Sequence, residues 1–237
     1  MTDIRQELIT QAKGLGIKIK AEQAVQFQTY LELLTEWNEK LNLTAITEPM
    51  EVLEKHFLDS LTLLTLGKIK EGAKVIDVGT GAGFPGVPVK ILRPDVRLTL
   101  LDGTNKRLNF LREVCAALGL EAEFVHLRAE EAGHRREMRE AYDVATARAV
   151  APLNVLAEYC LPLVKMKGYF LAMKGPGAQE ELDAAANALE ELGGTQVELH
   201  ALTLPTAGER NIVEVRKLAF TPREYPRHGS TITKHPL

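Results

Sequence analysis

The residues best suited to do chemistry in this sequence lie in one glycine-rich loop. The loop carries an acid followed by alternating glycines: Asp77, Gly79, Gly81, Gly83 and Gly86. An apolar run that ends at Val78 predicts a buried strand before the loop, and residues 85–92 predict a short helix after it. Glycines between a strand and a helix let the backbone approach a ligand closely at the carboxyl end of a sheet. The loop therefore predicts a binding site for an adenosyl cofactor.

Two kinds of cofactor compete for this loop. The glycines from Gly81 onward match the G-x-G-x-x-G pattern of dinucleotide sites. Methyltransferase loops have an acid two residues before the first of three alternating glycines, as Asp77 and Gly79 do, and this acid can help position the cationic methionine end of S-adenosylmethionine. Because the strand ends at Val78, the dinucleotide match begins two residues too late. S-adenosylmethionine also has no pyrophosphate, so it does not require a phosphate-binding helix N-terminus. We predict an S-adenosylmethionine-dependent methyltransferase; the alternatives are a dinucleotide site and a loop without a cofactor.

Acidic residues also follow the next two predicted strands. Asp102 ends the second strand and can accept both ribose hydroxyls of a nucleoside, or it can cap the helix predicted over residues 105–118. Ala129 and Glu130 follow the third strand, where adenine usually lies in such sheets, although Glu130 can equally be a solvated charge. These positions support a nucleoside cofactor without choosing between the two kinds.

The sequence argues against two kinds of methyl acceptor. Carbon-5 of a pyrimidine requires a covalent cysteine, but Cys115 and Cys160 lie in apolar predicted helices, and with no histidine cluster nearby they predict no disulfide and no metal site. Enzymes that methylate exocyclic amines commonly have an Asn/Asp-Pro-Pro-aromatic loop after the fourth strand. Residues 146–150 occupy that position here and read Thr-Ala-Arg-Ala-Val instead. The remaining kind of acceptor has an available lone pair, as N7 of guanine does. Such an acceptor needs no general base, because no proton has to be removed from it.

Several cationic residues are placed to contact the cofactor or an RNA phosphate. Arg148 lies where the fourth strand meets its loop, although it can instead form a structural salt bridge. Lys174 ends the fifth strand at the same edge of the sheet. The tail is the most basic stretch and offers three candidates for RNA binding: Arg223, Arg227 and Lys234. A frayed, charged terminus is the alternative for this tail.

The composition limits the class of protein. The 237 residues are 45% hydrophobic and 26% charged, which is typical of a globular chain, and the net charge of −3 argues against promiscuous binding to nucleic acid. A nucleic-acid substrate would therefore be met by a local basic patch. The amino terminus has no apolar signal core, and no run of 18 apolar residues occurs. We expect a cytoplasmic monomer without a membrane segment.

The chain divides into three segments. Residues 1–70 show helical apolar spacing without a strand signal, which predicts a helical N-terminal extension whose third helix begins at Pro49. Residues 71–220 alternate short apolar runs with helical stretches and form the expected methyltransferase domain. Residues 221–237 form the basic C-terminal tail.

The alternation in the second segment predicts the fold. Helices are expected over residues 151–164 and 177–192, and the last two apolar runs, 196–204 and 210–218, predict a hairpin. Strand–helix alternation that ends in a hairpin indicates an α/β fold with a doubly wound, mainly parallel seven-stranded sheet and one antiparallel strand. This is the Rossmann-like arrangement of class I methyltransferases, with a helical N-terminal extension.

Short motifs along nearly the whole chain carry a family resemblance. They comprise Trp37-Asn38-x-x-Leu41-Asn42-Leu43-Thr44, His56-x-Leu58-Asp59-Ser60-Leu61, the loop from Asp77 to Phe84-Pro85-Gly86, Lys106-Arg107, Ala129-Glu130, Ala147-Arg148-Ala149-Val150-Ala151 and Tyr225-Pro226-Arg227. In this order they resemble the glucose-inhibited division protein B family, the small-subunit ribosomal RNA 7-methylguanosine methyltransferases. The Phe-Pro-Gly ending is far more specific than a general methyltransferase loop.

The resemblance implies methylation of guanine N7 in small-subunit (16S) ribosomal RNA, as free RNA or in a 30S assembly particle. It implies cofactor contacts at Gly79, Phe84, Ala129, Glu130 and Arg148, and an RNA-facing surface that includes the N-terminal helices. It adds Asn42, His56, Asp59 and Ser60 to the candidate site residues, so the catalytic candidates are Asn42, His56, Arg148 and Lys174. Methylation of a protein or small molecule, and a non-catalytic ribosome-assembly binder, are the alternatives.

Overall fold

A computed structural model describes residues 2–237 and contains one seven-stranded sheet. The strands are β1 (Lys74–Val78), β2 (Arg97–Asp102), β3 (Glu123–His126), β4 (Tyr142–Arg148), β5 (Val164–Lys174), β6 (Gly194–Leu204) and β7 (Gly208–Lys217). Their order is β3-β2-β1-β4-β5-β7-β6, and β7 runs antiparallel to its neighbours β5 and β6. The predicted fold is therefore confirmed, including its single antiparallel strand.

Helices cover both faces of this sheet. They are α1 (Arg5–Gly14), α2 (Ala21–Leu41), α3 (Pro49–Val52), α4 (Asp59–Leu61), α5 (Gly86–Leu92), α6 (Asn105–Leu118), α7 (Ala129–Ala132), α8 (Leu153–Cys160), α9 (Ala178–Ala184), α10 (Ala186–Glu191) and α11 (Gly229–Lys234). The chain order reverses between β1 and β4, so the carboxyl end of β1 is the switch point where ligands bind in such sheets. Within residues 2–237, no helix has the length and apolar character needed to cross a membrane.

The helical extension is part of the same core as the sheet. The apolar spacing of α2 buries Phe27 and Tyr30 completely. Phe27 packs on Phe57 with ring centroids 5.0 Å apart, and Tyr30 stacks on Phe84 of the glycine loop at 5.4 Å. The Tyr30 hydroxyl also donates a hydrogen bond to the Ala82 carbonyl. The extension therefore supports the glycine loop directly.

The third predicted helix begins at Pro49 as expected but does not stay regular. After α3 it continues as a π-helix, Leu53–Leu58, then as α4, and it ends as a 3₁₀ helix, Thr62–Leu66. Glu54, in the π-helical turn, is buried and accepts hydrogen bonds from the backbone of Thr206 and Ala207. This carboxylate joins the β6–β7 turn to the extension. π-helical turns are frequent at functional sites.

Two predicted helices have different bounds in the structure. The helix expected over 151–164 ends at Cys160, because Pro162 cannot supply an amide to an α-helix; a 3₁₀ turn follows and β5 begins at Val164. The helix expected over 177–192 divides at Ala185, whose amide contacts the carbonyls of both Glu181 and Leu182. The four-residue helix α7 was not predicted, since four residues are too few to show a period.

The C-terminal tail is packed against the domain, so the alternative of a frayed terminus is wrong. Tyr225 and Ile232 are buried, and the Arg139 guanidinium donates to four backbone carbonyls, three of them in the tail at Thr221, Pro222 and Tyr225. The Arg227 guanidinium lies 2.7 Å from a carboxylate oxygen of Glu158, whose side chain is only 1% exposed. Of the three tail cations predicted to bind RNA, Arg227 therefore already has an internal partner, whereas Arg223 and Lys234 are exposed.

We expect Arg227→Met to lower the free energy of unfolding by about 3 kcal/mol, because it leaves the buried Glu158 carboxylate without its partner. Arg223→Met is the matched control in the same tail and should change the free energy of unfolding by less than about 0.5 kcal/mol. Urea unfolding of both variants measures the difference. Equal stability of the two would contradict a structural role for Arg227.

Candidate functional site

A cavity of about 400 Å³ lies at the carboxyl ends of β1, β2 and β3. Its walls include seven of the predicted cofactor residues: Gly79, Gly81, Phe84, Asp102, Ala129, Glu130 and Arg148. Asp77 and Gly83 lie behind the loop instead of in the wall. The volume is in the range of sites for small molecules and cofactors.

Most backbone amides of the glycine loop are already hydrogen-bonded within the protein. Gly79 and Thr80 donate to the Leu101 carbonyl, Gly81 donates to Asp102 at 3.0 Å, and Asp77 accepts from the first residue of α5 at 2.9 Å. The occupied amides are those of Gly79, Thr80, Gly81, Gly83, Phe84 and Gly86. A pyrophosphate needs free amides at the helix start, and here a carboxylate occupies that place. The loop is therefore unsuited to a dinucleotide.

Asp77 holds the loop and keeps one oxygen free. Its carboxylate is fully buried; Oδ2 accepts from the Thr80 hydroxyl at 2.7 Å and from the Gly86 amide. Oδ1 is buried and has no hydrogen-bond partner within residues 2–237. Burial raises the pKa of Asp77 to about 6, and the two hydrogen bonds oppose this shift. Because Asp77 lies behind the loop and not in the cavity wall, it acts on a ligand through its negative charge and not through a direct hydrogen bond.

The raised pKa of Asp77 predicts that Asp77→Asn stabilises the protein at pH 8. The folded carboxyl retains its proton up to about pH 6 and the unfolded one only to about 3.8, so this stability is present at low pH and lost as pH rises through 6. The neutral amide avoids the loss, and the variant should gain up to about 3 kcal/mol at pH 8 and nothing near pH 3. Urea unfolding at both pH values tests this, with the exposed Asp183→Asn as control. A variant less stable than the parent at pH 8 would contradict this account.

Asp102 joins the glycine loop to the loop after β2. Its Oδ1 accepts from the Thr104 amide at 2.8 Å and its Oδ2 from the Gly81 amide at 3.0 Å. Helix α6 begins at Asn105 with Thr104 as its first flanking residue, so Asp102 does not occupy the N-cap position. The carboxylate is nearly buried and lies in the cavity wall, where its remaining lone pairs can accept hydroxyl donors.

The part of the cavity wall that follows β3 is more apolar. It includes Leu127, Ala129 and Glu130, and Tyr159 of α8 also lines the cavity. The Glu130 side chain is mostly buried, and its carboxylate lies 3.4 Å from the Arg128 guanidinium. Glu130 is therefore a wall residue and not a solvated charge.

Arg148 is tied to the N-terminal extension by three hydrogen bonds. Its Nη1 donates to the Lys55 carbonyl and to Asp59 Oδ2, both at 2.9 Å, and its Nη2 donates to His56 Nδ1 at 3.1 Å. The guanidinium also lies 5.0 Å from the centre of the Phe84 ring. The salt bridge considered for Arg148 is therefore present, in a side chain that also lines the cavity.

His56 is a neutral residue with both ring nitrogens in use. Nδ1 lies 3.1 Å from the Arg148 guanidinium and 3.2 Å from the Lys55 carbonyl, and Nε2 lies 2.8 Å from Thr44 Oγ1. Arginine can only donate, so the bond with Arg148 requires Nδ1 as the acceptor and places the proton on Nε2. Burial, and then the positive charge of Arg148, lower the pKa of His56 to about 3. The ring stacks on Phe84 with centroids 4.5 Å apart. This geometry makes His56 a support for Arg148 and leaves it no free nitrogen to take a proton.

The structure does not bring Asn42 into the cavity wall. Asn42 is exposed and ends α2 in the left-handed conformation, with φ of 48°. Asn38 acts nearby instead: its side chain accepts from the Thr44 amide at 2.9 Å and donates to the Thr44 carbonyl at 3.0 Å. Asn38 and Thr44 belong to the same family motif as Asn42, but the sequence predicted no role for either of them. Ser60 is buried and donates to the His56 carbonyl.

A second cavity of about 690 Å³ adjoins the first. The two share a wall made of His56, Arg148, Ala149 and Val150. The second cavity is further lined by charged residues: Lys55, Asp59, Lys174, Glu181 and Arg210. Lys174, predicted at the edge of the sheet, therefore lies in the second cavity and not in the first.

Val150 and Ala149 form the boundary between the cavities. A Cβ atom on Gly79 would lie 2.8 Å from Val150 Cγ2, so only glycine lets the loop pass beneath this side chain. Ala149 has a φ of 55°, which is uncommon for a residue with a side chain and typical of functional sites.

The two cysteines are buried and free, as predicted. Burial raises the pKa of Cys115 to about 11 and also raises that of Cys160, so neither is a ready thiolate. One group of side chains has the composition of a metal site: Glu198, His200 and Glu214 on β6 and β7. The Lys68 ammonium already lies 2.7 Å from Glu214, which gives that carboxylate a cation.

Comparison with known proteins places the chain in a family. A family model described as GidB, rRNA small subunit methyltransferase G, matches residues 23–213. A protein named ribosomal RNA small subunit methyltransferase G, from Alkaliphilus metalliredigens, is 52% identical over 225 residues, 94% of each chain. One of the same name from Desulforamulus reducens is 47% identical over the full length of both chains.

Solved structures share the fold at low identity. A putative methyltransferase from Bacillus halodurans C-125 superposes with a TM-score of 0.53 at 18% identity, covering 68% of this chain and 99% of that one. A SAM-dependent O-methyltransferase from Thermotoga maritima gives 0.55 at 15% identity, covering 80% and 72%. From the family match and the full-length relatives, we conclude that this chain belongs to the GidB family, rRNA small subunit methyltransferase G.

Proposed function

We propose that this protein transfers a methyl group from S-adenosylmethionine to N7 of a guanine in small-subunit ribosomal RNA. One observation carries the proposal: the cavity walled by the glycine loop and Asp102 adjoins, across Arg148 and Val150, a second cavity of nucleotide size. Donor and acceptor must meet in line for methyl transfer, so two cavities with a common wall suit the reaction. Membership in the family supports ribosomal RNA as the acceptor.

The first cavity fits S-adenosylmethionine by its donors and acceptors. S-adenosylmethionine supplies an electrophilic methyl group on a positively charged sulfur. We assign the ribose hydroxyls to Asp102 and the adenine to the end lined by Ala129 and Glu130. The negative charge of Asp77 behind the loop favours the positively charged methionine end, and the occupied amides of the loop suit a cofactor without phosphate.

The acceptor chemistry agrees with the residues at the boundary. The N7 lone pair forms the new bond to the methyl carbon, the carbon–sulfur electron pair stays on sulfur, and the purine gains the positive charge. No proton is removed in this step, so no base is required. His56, the one histidine in the wall, is neutral with both nitrogens engaged, which suits a positioning role.

The RNA partner would meet a local basic surface, because the whole chain is slightly acidic. Lys55, Arg148, Lys174 and Arg210 line the second cavity, against the two carboxylates of Asp59 and Glu181. We include Arg223 and Lys234 of the tail as phosphate contacts and leave out Arg227, which is held by Glu158. A ribosomal RNA or 30S assembly-particle substrate also implies a cytoplasmic enzyme, and we expect it to act as a monomer.

Titration calorimetry tests the cofactor. S-adenosylmethionine should bind with one site per chain, and NAD should not bind at the same concentrations. Asp102→Ala should weaken binding at least tenfold, because it removes the acceptor for the ribose hydroxyls. Binding of NAD, or none of S-adenosylmethionine, would contradict the assignment, and the second result would favour a non-catalytic ribosome-assembly binder.

Transfer of a labelled methyl group tests the acceptor class. The protein is incubated with labelled S-adenosylmethionine and an extract that contains unmethylated small-subunit particles, and the label is then counted in RNA, protein and small molecules. We expect the label in RNA. Recovery in protein or a small molecule alone would show that the enzyme methylates another class of substrate.

A further inference from the structure

The second cavity contains a charged pair that the steps above do not use. Lys174, at the end of β5, has a side chain only 8% exposed; its ammonium donates to the Ala151 carbonyl at 2.8 Å and to Glu181 Oε2 at 2.7 Å. Glu181, on α9, also accepts from the Leu153 amide through Oε2. Two of the three Lys174 protons are therefore in use. Within residues 2–237, no hydrogen bond engages Glu181 Oε1.

The free atoms of this pair match one edge of guanine. The third Lys174 proton is a donor, and beside it Glu181 Oε1 is an acceptor with two lone pairs. Guanine presents O6, an acceptor, next to the donors N1–H and N2–H. Adenine presents the opposite order, a donor followed by an acceptor. Uracil shares the acceptor–donor order but has no N7, so guanine is the base that fits both the pair and the reaction.

The location of the pair also suits the reacting atom. N7 lies on the Hoogsteen edge of guanine, and O6 separates it from N1 and N2 on the Watson–Crick edge. Lys174 and Glu181 line the second cavity but not the first, whereas Arg148 and Val150 line both. A guanine held at its Watson–Crick edge by the pair keeps its Hoogsteen edge free, so N7 is available to face the wall shared with the cofactor cavity.

We propose that Lys174 and Glu181 recognise the Watson–Crick edge of the acceptor guanine, with Lys174 donating to O6 and Glu181 Oε1 accepting from N1–H and N2–H. This inference rests on the proposed function. Glu181 also acts in catalysis: methylation at N7 puts positive charge on the purine, which makes N1–H a stronger donor. A carboxylate acceptor therefore binds the transition state more tightly than the substrate, so its loss lowers kcat more than it raises KM.

The test uses small-subunit particles whose RNA carries either guanine or inosine at the methylated position. Inosine keeps N7, O6 and N1–H and lacks only the N2 amino group. We expect the unsubstituted enzyme to lose roughly tenfold in kcat/KM on inosine. Glu181→Gln should lose on the order of 100-fold on guanine, mostly in kcat, and should no longer distinguish guanine from inosine.

Glu181→Gln retains an oxygen for the Leu153 amide but removes the negative charge beside the nearly buried Lys174 ammonium, so it should lower the melting temperature. Its affinity for S-adenosylmethionine, measured where both proteins are folded, should match that of the unsubstituted protein. The exposed neighbour Glu180→Gln is the control and should behave as the unsubstituted enzyme on both RNAs. Equal loss on inosine by Glu181→Gln and the unsubstituted enzyme would overturn the inference, as would full activity of Glu181→Gln on guanine. Absence of any 7-methylguanosine with the unsubstituted enzyme would instead overturn the proposed function.

Discussion

Arg148→Met should strongly impair methyl transfer and also destabilise the fold. The side chain is only 14% exposed, and its removal leaves the buried Asp59 carboxylate with the more distant Arg210, 3.5 Å away. Breaking a buried pair on one side costs about 3 kcal/mol of unfolding free energy. The shared wall of the two cavities also loses its hydrogen bonds to His56 and Lys55, so kcat/KM should fall by at least about 100-fold.

A second substitution separates the charge from the packing. Asp59→Asn combined with Arg148→Met removes both charges, and this double variant should be more stable than Arg148→Met alone. Arg148→Lys should not restore transfer, since one ammonium cannot make the three directed contacts of the guanidinium. Urea unfolding and methyl-transfer rates measure both effects. An Arg148→Met protein within about 1 kcal/mol and threefold of the unsubstituted protein would contradict the role given to this cluster.

Gly83→Ala should lower the free energy of unfolding by about 3–5 kcal/mol, the largest effect of any single methyl group in the loop. Gly83 has a φ of +98°, and a Cβ atom there would overlap the Tyr30 hydroxyl and lie 2.7 Å from Leu111 Cδ2. The new methyl group would force α2 and α6 away from the loop. Backbone strain and overpacking add in the same direction.

Gly81→Ala is the matched control in the same loop. Gly81 also has a positive φ, +58°, but the nearest atom to a Cβ there is 3.9 Å away. It should lose only about 1 kcal/mol of stability, from its left-handed backbone. Because Gly81 lines the cofactor cavity, this variant should instead lose affinity for S-adenosylmethionine. Calorimetry and urea unfolding should therefore rank the two variants in opposite orders, and the same order in both would contradict the assigned positions.

Local pattern was sufficient to predict the sheet and its loop. The strand that ends at Val78 determined which glycine comes first, and the structure ends β1 at that residue. The alternation of strands and helices predicted all seven strands and the final hairpin. These features depend on residues close together in the sequence, where apolar period and turn residues are informative.

The contacts that complete the site could not be predicted in the same way. Arg148 reaches Asp59 across 89 positions, and Arg227 reaches Glu158 across 69. The apolar period and the motif spacing carry no information about such distant pairs. The sequence therefore placed Arg148 at the edge of the sheet but could not predict its contacts with the N-terminal extension. The sequence could not show whether Asn42 reaches the cavity, and in the structure Asn42 ends α2. The family resemblance promoted His56, but its neutral state depends on burial and on Arg148.

Mass spectrometry of nucleosides tests the central claim most directly. Small-subunit particles that lack the modification are incubated with the protein and S-adenosylmethionine, and the RNA is digested and compared with particles incubated without protein. The account predicts one added 7-methylguanosine per particle and no other new methylated nucleoside. A methyl group on any other nucleoside, or none on either free RNA or particles, would contradict it.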